Sequence, residues 1–490
     1  MTISRRRLLQ TACIGPFVAS AQIRPKKLLK REMGRLHFET TTLGLGGQAS
    51  LQWTPPGVDP TRILLKAFHL GINYFDTSNV YGPSQLNYGK AFRELHLIPG
   101  EPGYNQALRE SLFLTSKTGL RWAKGAIQIP NLRNFTNGTA GSGTVDDVKR
   151  TLSQIFGDGQ GNYPKGAYLN MVLCHSLDSL EEVDALYTGL DKPDPQAEHI
   201  GALAALRDLR DGTNLTGLNP KEEKLIRHVG FSGHSSPPVM MEMLQRDQAN
   251  LLDGMLVAIN ANDRLNFNMQ YNVIPVAAAR NMGLIGMKTF ADGSMYGKTP
   301  MFSNNSSHVI RTVGSATLPS HPLVQYTLTT PGIHTVIIGT GQINDDPKNC
   351  QMEQNLLAAQ ISPNGLSVSD RRAIEKTTST VQDGKTNYFQ LAHQDLTPPR
   401  DVVVAQAPSG GKRAVELTWQ TAYAGDEPIS HYEIWRDGEK IGRVAHRPQT
   451  GKVPFLFEDK NAGENTHKYE LATVDLVGRR ASKGDLLAQA

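Results

Sequence analysis

Cysteine is scarce. Cys13, Cys174 and Cys350 are all that 490 residues contain, too few for a disulfide framework, so a small stapled fold is excluded. Long apolar runs are lacking too. The stretch at residues 8–18 is short and interrupted by Gly15 and Pro16, so no stable membrane insertion is expected. No run of Lys and Arg is interleaved with aromatics, and 51 basic against 46 acidic side chains leave a formal charge of only +5. Nucleic acid is therefore not an expected partner. Cys174-His175 stands without further clustered ligands, so no metal site is expected. What the chain does have is bulk. Its 39% hydrophobic and 20% charged residues suffice for a packed core, and at roughly 150 residues per domain the length suits two or three domains.

The first residues read as an address. A charged start, a mildly apolar stretch and the small residues Ala19-Ser20-Ala21 mark residues 1–22 as an export signal. Within it, Ser4-Arg5-Arg6-Arg7-Leu8-Leu9 resembles the twin-arginine motif, which a receptor reads. The expected location is the bacterial periplasm or cell envelope. That route carries folded chains, so a cofactor can be loaded before export.

Residues 33–390 repeat one unit, a short apolar β-rich run followed by an amphipathic helical stretch. The runs are 72–76, 112–117, 169–175, 228–232, 255–260, 284–288 and 335–339. Each is nearly continuously apolar, as a parallel strand covered on both faces must be. Thr144 and Asp147, at capping-box spacing, predict a helix start at Thr144. The polar residues closing the runs (Asp76, Lys117, His175, Ser232, Asn260 and Lys288) come from six different strands. A (β/α)8 TIM barrel gathers such ends at one mouth, whereas a doubly wound sheet concentrates its chemistry at a switch point. The barrel is predicted. Gly44-Leu45-Gly46-Gly47-Gln48-Ala49 fits a dinucleotide fingerprint by letter, but a Thr-rich stretch precedes it and Trp53-Thr54-Pro55-Pro56 blocks an immediate helix; it is not read as a Rossmann turn. Insertions at residues 120–143 and 191–198 are placed as loops near the mouth.

A second domain, residues 398–490, follows the linker Leu396-Thr397-Pro398-Pro399-Arg400. Alternating patterns at 402–405, 414–419, 431–435 and 468–474 predict a small all-β immunoglobulin-like sandwich. The set resembles a fibronectin type III module, with Trp419 as core aromatic and Tyr469 at the tyrosine-corner position. From Pro398 onward thirteen basic and thirteen acidic residues balance, leaving contact with a protein or a carbohydrate as the partner role open to it.

Asp76, Tyr81, Lys117 and His175 together supply a carboxylate, a phenol, an ammonium and an imidazole. A phenol is a poor proton carrier at neutral pH unless its anion is stabilised. A neighbouring Lys stabilises it by Coulomb attraction and an Asp keeps that Lys charged. A neutral His donates a hydrogen bond to a substrate oxygen. The set suits protonation of a carbonyl oxygen while hydride arrives at carbon.

Gly71-Ile72-Asn73-Tyr74-Phe75-Asp76-Thr77-Ser78, then Tyr81-Gly82, Ser116-Lys117 and His175 resemble the aldo-keto reductase family in order and register. The resemblance implies NADP(H) or NAD(H) held in extended form across the strand ends, with Tyr81 as general acid–base, Lys117 and Asp76 tuning it, and His175 orienting the carbonyl. It further implies Ser232 and Asn260 at the carboxamide, Lys288 and Thr289 near the diphosphate or ribose, and Gly339, Thr340, Gly341, Gln354 and Asn355 near the adenosine half. Gly46 joins that cofactor set. Two departures stand out: Gly233-His234 follows Ser232 where the family usually has Asn, and Gln351 stands where NADP-preferring members place Arg. Two functions follow, an exported carbonyl or sugar oxidoreductase and a catalytically weak dinucleotide-sensing protein that docks a partner through its sandwich. The retained tetrad favours the first.

Overall fold

The computed structural model describes residues 27–409, 412–463 and 465–487; the export signal expected at residues 1–22 lies outside them. Eight parallel strands close into a barrel. In chain order they are β1 (Leu43–Leu45), β2 (Tyr74–Asp76), β3 (Phe113–Thr118), β4 (Leu169–Cys174), β5 (Ile226–Gly233), β6 (Leu252–Ala258), β7 (Gly283–Met287) and β8 (Thr335–Ile338). Each strand pairs with its sequence neighbours, and β8 returns to β1 through Val336 opposite Leu43. Seven of these are the apolar runs read from the sequence. The eighth, β1, is the Leu43-Gly44-Leu45 stretch whose glycines resemble a turn motif.

Two apolar shells hold the barrel. Tyr74, Phe113, Met171, Leu173, Leu256 and Ile285 fill its inside, and the opposite strand faces pack on the helices. Helix Pro60–His69 shows the local logic. Asp59 accepts from Thr61 N at 2.9 Å, Pro60 opens the first turn, and Ile63, Leu64 and Ala67 are buried. Helix Thr144–Phe156 corrects the predicted cap. Asp146 accepts from Gly143 N at 2.9 Å, while Thr144 donates to Trp122 O at 3.1 Å. The two insertions meet where Lys124 donates to Pro195 O at 3.2 Å, and just beyond the second Ile200–Gly201 pairs antiparallel with Trp122–Lys124.

The C-terminal residues form two antiparallel sheets. One contains β9 (Arg400–Ser409), β10 (Lys412–Gln420) and β13 (Phe455–Asp459); the other contains β12 (Glu439–Ala445), β11 (Ile429–Arg436), β14 (Lys468–Asp475) and β15 (Arg480–Leu487). Both sheets contribute to one core, in which Trp419 lies 5.4 Å from Tyr432 and 5.8 Å from Phe455 between ring centres. Tyr469 is buried there, and its hydroxyl donates to the Asp459 carboxylate at 2.8 Å.

This module is docked on the barrel by polar contacts. Asn272 accepts from Ala424 N at 2.8 Å and donates to Ala424 O at 3.2 Å. Asn268 donates to Gly425 O at 2.8 Å, Gln245 to Gln449 O at 2.9 Å, and Arg280 to Thr450 O at 2.9 Å. Asn268 and Asn272 are buried, so an unmade bond leaves an amide without water. Replacing Asn272 with Ala strands the Ala424 backbone pair. The expected result is a loss of about 1–3 kcal/mol, read as a lower midpoint in thermal unfolding of the full chain; an unchanged midpoint would show the docking contact to be idle.

Candidate active site

The four predicted catalytic residues meet at the C-terminal mouth. Asp76 ends β2, Lys117 lies on β3, His175 directly follows β4, and Tyr81 sits on the loop before helix Ser84–Glu94. That loop is folded by Tyr81 N donating to Ser78 O at 3.1 Å and Ser84 N to Tyr81 O at 2.9 Å. Lys117 Nζ donates to Asp76 Oδ1 at 2.5 Å and to Thr77 O at 2.8 Å, and stands 4.7 Å from the centre of the Tyr81 ring. The Tyr81 hydroxyl is 3.5 Å from His175 Nε2, and His175 Nδ1 is 3.3 Å from Ser78 Oγ.

Burial governs the charges. It pushes the Asp76 carboxyl up and the Lys117 ammonium down, and their mutual attraction opposes both shifts. His175 is held well below the ordinary histidine range by burial, then by Lys117 and His234; it is neutral. Tyr81 differs from the expectation that Lys117 lowers its pKa. Burial, Asp76 and Asp292 together push the phenol well up, so it keeps its proton. Cys174, beside His175, is buried with its thiol pushed up to about 12 by burial.

A cleft opens from this cluster across the strand ends toward Gln351 and Asn355. Its floor is glycine by necessity: a Cβ on Gly47 would lie 2.4 Å from Asp76 O, and one on Gly46 3.0 Å from Gly339 N. Thr289 Oγ1 lies buried at the cleft without a hydrogen-bond partner among the described residues. The wall beyond β7 is strained, with left-handed backbone at Lys288 (φ 62°), Ala291 (φ 48°) and Asp292 (φ 56°). Asp292 organises it, accepting from Lys298 Nζ at 2.7 Å and Ser303 N at 3.0 Å and pairing with Lys288 at 3.4 Å.

Of the expected cofactor residues, Gly46, Lys288, Thr289, Gly339 and Asn355 wall this cleft; the rest have other work. Asn260, expected at the carboxamide, makes its bonds within the protein. Its amide donates to Lys288 O and Asn387 Oδ1 and accepts from Asn262 N and Asn387 Nδ2, all within 3.0 Å, leaving it saturated. Ser232 Oγ accepts from Ser176 N at 2.9 Å. Thr340 O takes Ser50 N at 3.4 Å, Gly341 N donates to Gln351 Oε1 at 2.9 Å, and Gln354 donates to Pro347 O at 2.9 Å. Asp292 and the bridging role of Gln351, which also donates to Ile310 O at 3.1 Å and Thr312 O at 2.8 Å, were not read from the sequence. Their partners sit on loops that no local pattern marks. Insertion 120–143 closes over the tetrad: the Phe135 ring lies 5.8 Å from that of His175, and Arg121 donates to His175 O at 2.8 Å while pairing with Glu182 at 3.3 Å. Asp147 ties it down by accepting from Thr118 at 2.7 Å and Thr136 at 2.6 Å. Among the described residues, no group of three metal-ligating side chains and no helix able to cross a membrane is present.

Two stability predictions follow from these buried carboxylates. Burial raises Asp147 and Asp263 from 3.8 to about 6, so each binds more proton folded than unfolded in that window and its own contribution to stability falls as pH rises through it. The thermal midpoint of Asp147→Asn minus that of the wild type is therefore expected to be larger near pH 7 than near pH 5, and an equal difference at both would assign the slope to other groups. Lys117→Met leaves Asp76 buried and unpaired, at a cost of about 3–5 kcal/mol. The double variant Asp76→Asn/Lys117→Met should recover much of that loss in urea titrations; a double variant no more stable than the single would place the cost elsewhere.

None of the curated proteins matches the chain. Among solved structures, an aldo-keto reductase of Pseudomonas aeruginosa is 20% identical, with 68% of this chain and 95% of that one covered and a TM-score of 0.40. An aldo/keto reductase of Klebsiella pneumoniae in complex with NADP and acetate is 15% identical over 71% and 95%, at 0.41. A Bombyx mori aldo-keto reductase in complex with NADP is 14% identical over 72% and 93%, at 0.44. The model of the aldo/keto reductase family matches residues 42–308, from β1 through the Asp292 wall and more than half of the chain. The chain belongs to the aldo/keto reductase family.

Proposed function

We propose that this protein is an NAD(P)H-dependent oxidoreductase that reduces the carbonyl of an aldehyde, ketone or sugar, with Tyr81 as proton donor. The observation that carries this reading is a buried Asp76–Lys117 pair beneath a phenol that shares its hydroxyl with a neutral imidazole, all at one end of a glycine-floored cleft. A nicotinamide dinucleotide bound there supplies the hydride. The unpartnered Thr289 hydroxyl, Lys288 and the close-packed floor of Gly46, Gly47 and Gly339 fit such a group and would hold it. The strand order of the C-terminal sheets, three and four, supports a fibronectin type III-like module, and Arg5, Arg6 and Arg7 support export by the twin-arginine route.

The chain's own residues divide the proton work. Ser78 Oγ beside His175 Nδ1 fixes the ring, so that Nε2–H faces the Tyr81 hydroxyl and the substrate oxygen. As that oxygen gains negative charge, His175 donates to it and Tyr81 releases its proton to it. The phenolate left behind lies against Lys117. The ammonium therefore acts mainly where charge develops, which is what lowers a barrier rather than merely tightening binding.

A raised phenol pKa makes Tyr81 a held acid and a poor base. Reduction should stay flat between pH 7 and 9, and alcohol oxidation, which needs phenolate, should climb with pH through the range below about 10. Tyr81→Phe keeps the ring and should lower kcat by about 10²–10⁴-fold while dinucleotide titrations by fluorescence remain as in wild type. Near wild-type turnover by Tyr81→Phe over a panel of carbonyls with both cofactors would remove Tyr81 from the mechanism.

A further inference from the structure

We propose that residues 387–390, which join the barrel to the C-terminal module, are positioning residues for the substrate end of the cleft, held in place by docking of that module. This rests on the reading of the cleft as a carbonyl-reducing site. Four consecutive side chains grip the loops beyond three barrel strands, β5, β6 and β7. Asn387 and Asn260 form a reciprocal amide pair, at 2.9 and 3.0 Å, beyond β6. The Tyr388 hydroxyl donates to Asp292 Oδ2 at 3.2 Å, beyond β7. The Phe389 ring packs 6.2 Å from that of His234, beyond β5. Gln390 donates to Asp263 Oδ1 at 2.7 Å and accepts from Asn387 at 2.6 Å. The backbone continues the grip, Leu391 N donating to Ser235 O at 3.2 Å.

These contacts are not incidental packing. Asn387 brings no apolar bulk, yet it is buried and its amide completes the hydrogen bonding of the buried Asn260 amide and reaches Gln390 as well. They also lead to the tetrad. His234 lies 3.2 Å from Ser176 Oγ, next in sequence to His175, and lowers the proton affinity of His175 through space. Phe302 completes an aromatic wall, 5.9 Å from His234 and 5.2 Å from Tyr388, with Lys288 Nζ 5.0 Å from its ring centre. The segment then enters the module within a few residues, where Thr397 N donates to Tyr423 O at 3.0 Å. Next to Tyr423 is Ala424, the partner of Asn272. The module therefore anchors one end of the segment, and the barrel mouth takes the other.

The test uses the full chain with Asn387→Ala, Tyr388→Phe and the remote Asn272→Ala, reading steady-state kinetics on carbonyls together with hydrogen exchange. Asn387→Ala and Tyr388→Phe are expected to lower kcat/KM by about 10-fold, chiefly through KM, because the wall loosens while the proton donor stays. Tyr81→Phe should instead act on kcat. Asn272→Ala should speed exchange at residues 387–391 and raise KM in the same direction. Unchanged KM in both mouth variants overturns the proposal, as does continued protection of residues 387–391 in an Asn272→Ala protein whose module exchanges faster. Should Asn387→Ala fail to fold, Tyr388→Phe, which deletes one hydroxyl, decides. A wild-type chain that turns over no carbonyl defeats the proposed function alone; faster exchange at residues 258–263 and 288–296 in the mouth variants then sustains the clasp, and unchanged exchange there overturns it.

Discussion

Everything at the mouth of this barrel depends on keeping one ammonium and one carboxylate out of water together. Neither Lys117 nor Asp76 could be buried singly without neutralising. Their 2.5 Å contact therefore demands that β2 and β3 end in a fixed register, with Asp76 opposite Thr115 and Lys117 two residues further on. The same demand reaches outward. Tyr88 donates to Asp76 O at 3.0 Å, which seats helix Ser84–Glu94 and with it the loop carrying Tyr81. Gly47 must be glycine because β1 ends against the same carbonyl. The phenol, the helix and the glycine floor are arranged around one ion pair.

The remainder of the site is assembled by contacts between residues far apart in sequence. Asn387 reaches Asn260 across 127 positions, and Gln351 bridges β8 to the segment beyond β7. Amides recur at these joints and at those to the module, where Asn268, Asn272 and Gln245 bond to the module's backbone beside ion pairs of Glu427 with Arg264 and Arg372 and of Lys452 with Glu242. Neutral amides both donate and accept, so they satisfy a buried interface without the desolvation cost of ion pairs.

These two kinds of interaction explain what could be read from the sequence. Strands covered on both faces are continuous apolar runs, and seven of the eight declare themselves. Leu43–Leu45 does not, because three residues with a central glycine carry too little pattern. Asp76, Tyr81, Lys117 and His175 are legible because each sits at or just beyond a recognisable strand end. Asn260 sits at such an end too, but which partner claims its amide is settled by Asn387, and nothing local to either residue reveals the pairing. Asp292 is hidden for the same reason, since its partners Lys298, Ser303 and Tyr388 come from irregular chain. The docking of the module was equally invisible, because Asn272 and Ala424 are unremarkable letters until the fold makes them neighbours.

The sulfur chemistry of the barrel follows from a residue that takes no part in the mechanism. Cys174 adjoins His175, yet its thiol is fully buried and pushed up to about 12, and Cys350 is buried as well. Nucleophilic attack on peroxide or on a disulfide requires thiolate and access. Neither described cysteine offers access, and Cys174 offers no thiolate at neutral pH. Oxidants that silence enzymes through an exposed active-site thiol find no target in Cys174, even though it lies one residue from the buried His175 imidazole.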